Sequence, residues 1–424
     1  MSPKIATPGL SGDPALCLGT KEDHTPFRLP ARQEFRHVLA IGSPGSGKSR
    51  LLKNLANQQI QRGGGVIFLD GKANSETLSA LSQEAEANHR KSDFQILDFG
   101  DPTRSVSYNP WAGLEADEAL PLFSRLFPRT ENNPDARFRQ EALTATLDAV
   151  LRALQTTGRQ EHLGELAALL RSPKKLAELE ASLPESSAKT ALTLVLDRCR
   201  KPGPLAPPAH FDETCLKSLT EGAAESLERL TQGDQSLIFN TVTPDIRLEE
   251  ILKQRKILYV AAPTLLSLER VSPVQDAIRL FLVDLCYQVD KRLRTAEIPA
   301  EAGMLVIADG ISPSTLLEIA PLLERGRAAR VGMVLECASL EALTRPDPSL
   351  AFWRGTSSAG SFASSLVLDN TITKIWFRAS KEESALAENL LRLPGGAASF
   401  QHLKAGEAQV WGVADSFAKV QIPA

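Results

Sequence analysis

The sequence has little of what marks several protein classes. It contains 5 cysteines and no CxxC pair, which argues against a zinc site or a disulfide framework and favours a reducing compartment. A membrane-spanning helix needs about 20 apolar residues, but the longest candidate, 257–268, is shorter and contains a proline. The formal net charge of -3 excludes a uniformly basic chain. Any nucleic-acid contact must therefore come from local patches or from several subunits together.

What is present is an alternation of short apolar runs and helical patterns. The runs HVLAIG (37–42), GVIFLDG (65–71) and FQILDFG (94–100) are nearly continuously apolar and are separated by stretches with helical periodicity. Strands of this kind, bounded by Gly and Asp, are typical of a parallel sheet that is covered on both faces. Further strands are expected at 256–263, 303–310 and 330–337. The sequence therefore predicts an α/β fold with a mostly parallel sheet.

The first apolar run is followed by a phosphate-binding motif. GSPGSGKS matches the Walker A pattern GxxxxGK[ST] between a predicted strand and a predicted helix, a context that argues against a chance match. Glycines let successive backbone N–H groups face the phosphates, and the N-terminal end of the helix adds positive charge. Lys48 would contact the β- and γ-phosphates, and the Ser49 hydroxyl would coordinate magnesium. The predicted nucleotide-binding residues are Gly42, Ser43, Pro44, Gly45, Ser46, Gly47, Lys48 and Ser49.

A candidate magnesium ligand ends the run MLVIAD (304–309). Asp309 ends this predicted strand and can hold magnesium directly or through water. The alternative is that Asp309 only caps the turn that follows. The next residue is Gly310, where a hydrolase of this kind usually has a glutamate.

Between the first three strands and the later ones the pattern is helical only. Ser172 and Pro173 predict an N-cap and a first-turn proline. One apolar helical face recurs at spacings of three and four: Leu143, Leu147, Val150, Leu151 and Leu154. We therefore expect four segments: a flexible lead-in over 1–35, a first part of the nucleotide-binding domain with Walker A over 36–111, an all-α inserted domain over 112–232, and a second part of the nucleotide-binding domain over 233–424.

The order of these stretches resembles a known family. HVLAIGSPGSGKS, GGVIFLDGKA, a helical insertion, KILYVAAP, MLVIADG and NTITKIWFRASKEESALAENLL together resemble the coupling-protein ATPases of conjugation and type IV secretion, the TraG/TraD class related to the FtsK/HerA pumps. The resemblance covers nearly the whole chain after residue 36. It implies a RecA-like P-loop domain that binds ATP and Mg²⁺, a homo-oligomer of hexameric form, and DNA, nucleoprotein or type IV secretion components as partners.

Three features depart from the family pattern. Members usually carry transmembrane helices ahead of the P-loop, and this chain has no candidate span there, so we expect a cytoplasmic chain that is either soluble or held at the inner membrane by partners. Gly310 replaces the glutamate that activates the attacking water, a loss that typically lowers the rate by about 10²–10⁴. Ala338 replaces the glutamine that senses the γ-phosphate.

The resemblance also assigns an arginine. Arg327 lies where the family places the residue that reaches the γ-phosphate of the neighbouring subunit, so ATP would close the subunit interface through Lys48, Asp309 and Arg327. Arg325 and Arg330 are close enough to exchange roles with it, and solvated arginines at a helix end are the alternative.

Several other residues have two interpretations. Glu336 is a nearby acid that could replace the missing glutamate, and a solvated strand-end glutamate is the alternative. Asp70 and Lys72 match the acid-x-lysine of the family, with a structural role in the turn or a contact with substrate. His37 is expected to pack or cap rather than to react.

These observations lead to three functional hypotheses. The first is an ATP-binding coupling-protein-like component with weak or conditional ATPase activity that moves or recruits DNA or protein. The second is a non-hydrolysing adaptor whose assembly depends on nucleotide. The third is a soluble HerA-like DNA translocase, and an active motor of either kind should show DNA-stimulated hydrolysis.

Overall fold

The fold is built on one mixed sheet. The computed structural model describes residues 15–29, 33–126, 134–158, 162–200, 211–220, 222–263, 272–295, 303–310, 318–341, 359–391, 398–413 and 416–423. The strands in these ranges are β1 (Cys17–Lys21), β2 (Pro26–Arg28), β3 (Val38–Ile41), β4 (Gly65–Asp70), β5 (Phe94–Asp98), β6 (Ile257–Ala261), β7 (Met304–Asp309), β8 (Val331–Cys337), β9 (Thr373–Trp376), β10 (Glu407–Val413) and β11 (Ser416–Gln421).

Helices cover both faces of this sheet. In the same ranges they are α1 (Lys48–Gln61), α2 (Ser75–Ala87), α3 (Ala116–Leu126), α4 (Pro134–Thr156), α5 (Leu163–Arg171), α6 (Pro173–Ser182), α7 (Ser187–Cys199), α8 (Glu213–Thr220), α9 (Ala223–Thr231), α10 (Ser236–Phe239), α11 (Leu248–Gln254), α12 (Pro273–Arg294), α13 (Ala320–Arg325), α14 (Ala359–Asn370), α15 (Lys381–Leu391) and α16 (Ala398–Gln401). None of the helices in the described ranges is long and apolar enough to cross a membrane.

The sheet has two parts that differ in strand direction. Its order is β2-β1-β11-β10-β9-β3-β8-β7-β4-β6-β5. The strands from β9 to β5 are all parallel, and we call them the parallel half. The strands β2, β1, β11 and β10 pair antiparallel, and we call them the antiparallel half. Because parallel strands all run the same way, β3, β8, β7 and β4 end at one edge, the carboxyl edge. The predicted mostly parallel α/β fold is confirmed.

The central strands are apolar because both of their faces are buried. Successive residues enter opposite cores, with Leu39 and Ile67 in one cluster and Ala40 and Phe68 in the other. Helices α1 and α2 supply apolar residues to the second cluster, and α12 supplies them to the first. This two-sided burial explains why β3, β4 and β7 show continuous apolar runs instead of alternation.

Between β5 and β6 the described chain is helical. The predicted apolar face of α4 is buried, with Leu147 and Val150 fully inaccessible. Ser172 caps α6, since its Oγ accepts a hydrogen bond from Lys175 N at 3.3 Å, as predicted. These helices share one apolar cluster with the sheet, so they pack directly against the parallel half. The boundaries 112–232 of the inserted domain stay a prediction, and helices continue to Gln254 before β6 begins.

The expected flexible lead-in over 1–35 requires a correction. Within it, β1 and β2 form a hairpin, and β1 pairs with β11 in the register Thr20 to Gln421. Leu18 and Phe27 are buried in the core that faces α1. The sequence did not reveal this because the hairpin is short and its partner strand lies at the other end of the sequence. Residues 1–14 and 30–32 lie outside the described residues.

Candidate nucleotide-binding site

The Walker A residues form a loop between β3 and α1. Gly45 and Gly47 have φ of 71° and 112°, values that L side chains rarely adopt. A Cβ at Gly47 would lie 3.2 Å from both Cα and N of Gly406, so a larger residue would also crowd the chain that leads into β10. Ser43 N donates to Arg378 O at 2.8 Å, which ties the loop to the chain after β9. The glycine spacing read from the sequence is therefore required by the backbone.

The interior of this loop fits an anion. The first backbone N–H groups of α1 have no partners within the helix and face the loop, as at any helix N-terminus. Ser46 Oγ is buried and has no hydrogen-bond partner among the described residues. A buried hydroxyl without a partner is destabilising unless something binds it. The loop thus offers a free donor where the predicted phosphates would lie.

Lys48 is held at the centre of the site. Its Nζ donates to Gly42 O, and to Ser43 O at 3.0 Å, and it lies 3.2 Å from Glu336 Oε1. The side chains of Lys48 and Glu336 are each only 6% exposed. Such a buried pair keeps both charges compensated, and removal of one partner would leave the other without a counter-charge.

Glu336 is an acid of the site and not a solvated strand end. Strand β8 lies between β3 and β7, so the side chain at its carboxyl end stands between the phosphate loop and Asp309. Besides its contact with Lys48, Glu336 accepts a hydrogen bond from the backbone N–H of Gly310 at 3.1 Å through Oε2. The solvated interpretation of Glu336 was therefore wrong, because pairing with Lys48 and Gly310 buries the carboxylate.

Gly310 is required by its backbone conformation. Its φ is 76°, in the left-handed region. A Cβ built there would lie 3.3 Å from Cγ and Cε of Lys72. A glutamate at this position would be strained and would displace the Lys72 side chain. The absence of a glutamate at position 310 therefore goes with a different local backbone conformation and is more than the loss of a side chain.

Asp309 and Lys72 form the second ion pair of the site. Lys72 Nζ lies 2.5 Å from Asp309 Oδ1 and donates to Ser49 Oγ at 3.2 Å. Partial burial disfavours the charged form of Lys72, but the hydrogen bond and charge of Asp309 outweigh it and raise the pKa of Lys72. A hydroxyl and a carboxylate are oxygen ligands of the kind that Mg²⁺ takes, so Ser49 and Asp309 fit their predicted metal role. The turn that Asp309 would alternatively cap lies largely outside the described residues.

Asp70 positions the loop that carries Lys72. Its Oδ1 accepts from Lys72 N at 2.9 Å, and its Oδ2 accepts from Asn74 N at 2.9 Å and from Tyr259 Oη at 2.8 Å. Asp70 is 1% exposed, and it stands opposite Asp309 in the register of β4 and β7. The structural interpretation is therefore correct for Asp70, whereas Lys72 enters the site itself.

The remaining candidates lie elsewhere. Arg327 is exposed in the turn before β8, at the sheet edge opposite to Lys48, so one chain does not bring the two residues together. Arg325 pairs with Asp290 at 3.1 Å. His37 packs at that same edge, where its Nδ1 accepts from Met333 N and its Nε2 donates to Leu323 O, both at 3.0 Å. The role of Arg327 stays a prediction.

Comparison with known proteins supports the predicted resemblance. Residues 24–193 match the family described as the type IV secretion-system coupling protein DNA-binding domain. No curated protein matches the chain by sequence. The resemblance to coupling-protein ATPases is thus confirmed over the phosphate loop and part of the helical region.

Solved structures share the fold over nearly the whole chain. The bacterial conjugative coupling protein TrwBdeltaN70, in its unbound form, has a TM-score of 0.61 and 15% identity, with 98% of this chain and 90% of that chain covered. The plasmid coupling protein TrwB in complex with ADP and Mg²⁺ has a TM-score of 0.60 and 17% identity, with 96% and 88% covered. VirB4 of Thermoanaerobacter pseudethanolicus has a TM-score of 0.55 and 14% identity, with 97% and 96% covered. This chain therefore has the fold of these coupling and secretion proteins.

Proposed function

We propose that this chain binds ATP with Mg²⁺ and acts as a coupling-protein-like component of conjugative DNA transfer or type IV secretion. The observation that carries the proposal is the convergence of Lys48, Ser49, Asp309 and Glu336 at the carboxyl edge. Beside them is the buried Ser46 hydroxyl, which has no hydrogen-bond partner in the described part of the chain. The family match and the shared fold support it, as does the nucleotide bound by TrwB.

The residues of the site have separate roles in this proposal. The loop amides, Ser46 Oγ and Lys48 bind the phosphates, and Ser49 with Asp309 holds Mg²⁺. When Lys48 turns to the phosphates, Glu336 loses its counter-ion and becomes free to accept a proton. Glu336 then orients the water that attacks the γ-phosphate, in place of the acid missing at Gly310. Hydrolysis is weak or conditional because Ala338 cannot sense the γ-phosphate.

The proposed assembly is a homo-oligomer, a hexamer by resemblance. Arg327 is exposed at the edge opposite to the phosphate loop, so it is available only to the site of another copy. An arginine supplied in this way contributes about 10³–10⁵ in rate when the rest of a site is intact. The proposed partners are DNA or nucleoprotein substrates and secretion components, which would recruit the chain to the inner membrane.

A second function has its own supporting observation. Gly310 and Ala338 together remove two groups that family ATPases use for turnover. A nucleotide-dependent adaptor that binds ATP without hydrolysis is therefore the alternative. It would use the same Lys48 and Asp309 to bind ATP, but no group of the site would activate a water molecule.

Turnover and binding by matched variants decide between the two. ATP hydrolysis and the affinity for a fluorescent ATP analogue are measured with and without single- and double-stranded DNA, for the unaltered chain, Lys48→Ala and Glu336→Gln. Glu86→Gln is the control, because Glu86 pairs with Lys91 on the surface. We expect Lys48→Ala to lose binding and Glu336→Gln to keep binding but lose turnover.

The contrary results are equally specific. Tight binding with no turnover in the unaltered chain would establish the adaptor. Turnover that Glu336→Gln leaves unchanged would remove Glu336 from the mechanism. Gly310→Glu is not a rescue variant, because the left-handed backbone and Lys72 oppose any side chain there.

A further inference from the structure

We propose that Lys72 is an internal counter-ion that occupies the magnesium position and must leave before the metal enters. The inference rests on the proposed function for the identity of the metal ligands. Its basis is that one ammonium group contacts both of them, Asp309 Oδ1 at 2.5 Å and Ser49 Oγ at 3.2 Å.

Lys72 and Mg²⁺ exclude each other at this place. Mg²⁺ binds its oxygen ligands at about 2.1 Å, directly or through one layer of water, in strict octahedral geometry. An ammonium in contact with both the hydroxyl and the carboxylate fills the space that such a metal needs. The two cations would also repel each other across a site with little solvent, because Asp309 is only 3% exposed.

The surrounding residues are arranged to hold and release this lysine. Asp70 fixes the backbone of the loop through Lys72 N and Asn74 N, so the lysine stem starts from a rigid point. The side chain is 36% exposed, which leaves the ammonium a route to water without unfolding of the loop. The stem can therefore turn outward while its backbone stays in place.

The glycine at 310 is part of the same arrangement. The Lys72 stem passes 3.3 Å from where a Cβ of Gly310 would lie. A glutamate at 310 would displace the lysine from Asp309. Glycine at position 310 therefore leaves the space in which the Lys72 side chain packs. The acid of the site comes instead from Glu336 on β8.

A lysine that competes for the metal position sets the magnesium requirement. In the nucleotide-free chain it compensates the buried charge of Asp309, as Lys48 compensates Glu336. Mg²⁺ has to displace Lys72 from Ser49 and Asp309. The Mg²⁺ concentration that gives half-saturation of nucleotide binding is therefore higher than it would be if Lys72 did not contact these two residues. Lys72→Met removes the competitor and leaves Asp309 in need of a cation.

Magnesium titration of matched variants tests the inference. The affinity for a fluorescent ATP analogue is measured at increasing Mg²⁺ for the unaltered chain, Lys72→Met and the surface control Lys91→Met. We expect Lys72→Met to lower the half-saturating Mg²⁺ concentration about tenfold, the size typical of groups that tune metal affinity, while Lys91→Met matches the unaltered chain. An unchanged or higher requirement in Lys72→Met would overturn the inference.

A measurement without nucleotide separates this inference from the proposed function. Thermal unfolding is followed with Mg²⁺ alone. We expect Mg²⁺ to raise the midpoint of Lys72→Met more than that of the unaltered chain, even if no nucleotide binds. Equal responses of the two proteins would contradict a competing lysine, whereas loss of nucleotide binding in the unaltered chain would count only against the proposed function.

The unaltered chain provides a test that needs no variant. Acetylation of Lys72 by an amine-reactive reagent is quantified by mass spectrometry with and without Mg²⁺ and ATP analogue. In the nucleotide-free chain the contacts with Asp309 and Ser49 shield the ammonium from the reagent. We expect several-fold more labelling when the metal displaces Lys72, with Lys91 unchanged. If labelling of Lys72 stays constant or falls when Mg²⁺ and the ATP analogue are added, the inference is wrong.

Discussion

The two halves of the sheet use their strands differently. In the parallel half, β4, β7 and β8 bring Asp70, Asp309 and Glu336 to one edge, because every strand ends on the same side. In the antiparallel half, neighbouring strands end at opposite edges, so the residues at their carboxyl ends are divided between the two edges. Strand direction alone thus decides where chemistry can be assembled from residues far apart in sequence.

The antiparallel half contributes support instead of chemistry. Gly406 N donates to Ser46 O at 2.9 Å, and Arg50 donates to Ile422 O at 3.1 Å. These contacts brace the phosphate loop and the first turn of α1 from the side. A rigid loop keeps its N–H groups oriented before any ligand arrives, which is what a preorganised phosphate site needs.

The largest expected effect comes from a substitution that destabilises the antiparallel half. Gly412 has φ of 95°, and a Cβ there would run into the backbone of Ile372, with Ile372 C at 2.9 Å. We expect Gly412→Ala to lower the free energy of unfolding by about 3 kcal/mol, since backbone strain and overpacking add. Urea unfolding measures it, and nucleotide affinity of the folded fraction should change little.

A matched glycine in the parallel half is the control. Gly63 has φ of 76°, but a Cβ there would meet nothing within 4 Å. Gly63→Ala should therefore cost only about 1 kcal/mol, from strain alone. Equal losses for Gly412→Ala and Gly63→Ala would show that the close approach of β10 to the chain before β9 is not what matters.

A pH-dependent effect, at most as large as that of Gly412→Ala, probes the parallel half away from its chemistry. Burial lowers the pKa of His37 to about 4, although its hydrogen bond with Leu323 O opposes the shift. The unfolded chain therefore takes up the proton first, and stability present above pH 6.5 is lost as the pH falls from 6.5 to about 4. The loss should be about 3 kcal/mol at most.

The pH effect is measured as a difference between two proteins, because carboxylates titrate in the same range. Urea unfolding of the unaltered chain and of His37→Asn is compared at pH 7 and pH 4. Asparagine tolerates the left-handed backbone at this position, where φ is 61°. A variant with the same pH dependence as the unaltered chain would rule out His37 as the source.

The smallest expected effect concerns a lysine–carboxylate pair of the antiparallel half. Lys419 lies 3.3 Å from Glu407 and is 39% exposed, so solvent screens the pair. We expect Lys419→Met to change the free energy of unfolding by at most about 0.5 kcal/mol and to leave the Mg²⁺ requirement unaltered. A shift in that requirement like the one expected for Lys72→Met would show that the two halves are not functionally distinct.

Much of the site was predictable from local sequence. The phosphate loop, Lys48, Ser49 and Asp309 follow from short motifs whose geometry is fixed by neighbouring residues. For Glu336 and Lys72 the sequence left a role in the site and a purely structural or solvated role both open, because the partners of these residues lie on other strands. The edge hairpin formed by β1 and β2 was missed for the same reason.

Two of the cysteines give a further example of a contact that the sequence did not predict. The five cysteines have no motif in the sequence, yet Cys199 Sγ and Cys215 Sγ lie 3.4 Å apart as free thiols. The end of α7 and the start of α8 bring them together. Contacts of this kind depend on helix packing, which local periodicity does not encode.

The sequence by itself determined the alternation of strands and helices, the phosphate loop and the apolar faces, because these depend on residues within a few positions of one another. Only the tertiary structure decided that Glu336 pairs with Lys48 and that Lys72 bridges Asp309 and Ser49. Strand order sets those pairs, and strand order results from the packing of the whole core. The absence of an acid after Asp309 can thus be read from the sequence, whereas the presence of Glu336 beside Lys48 depends on the order of the strands in the sheet.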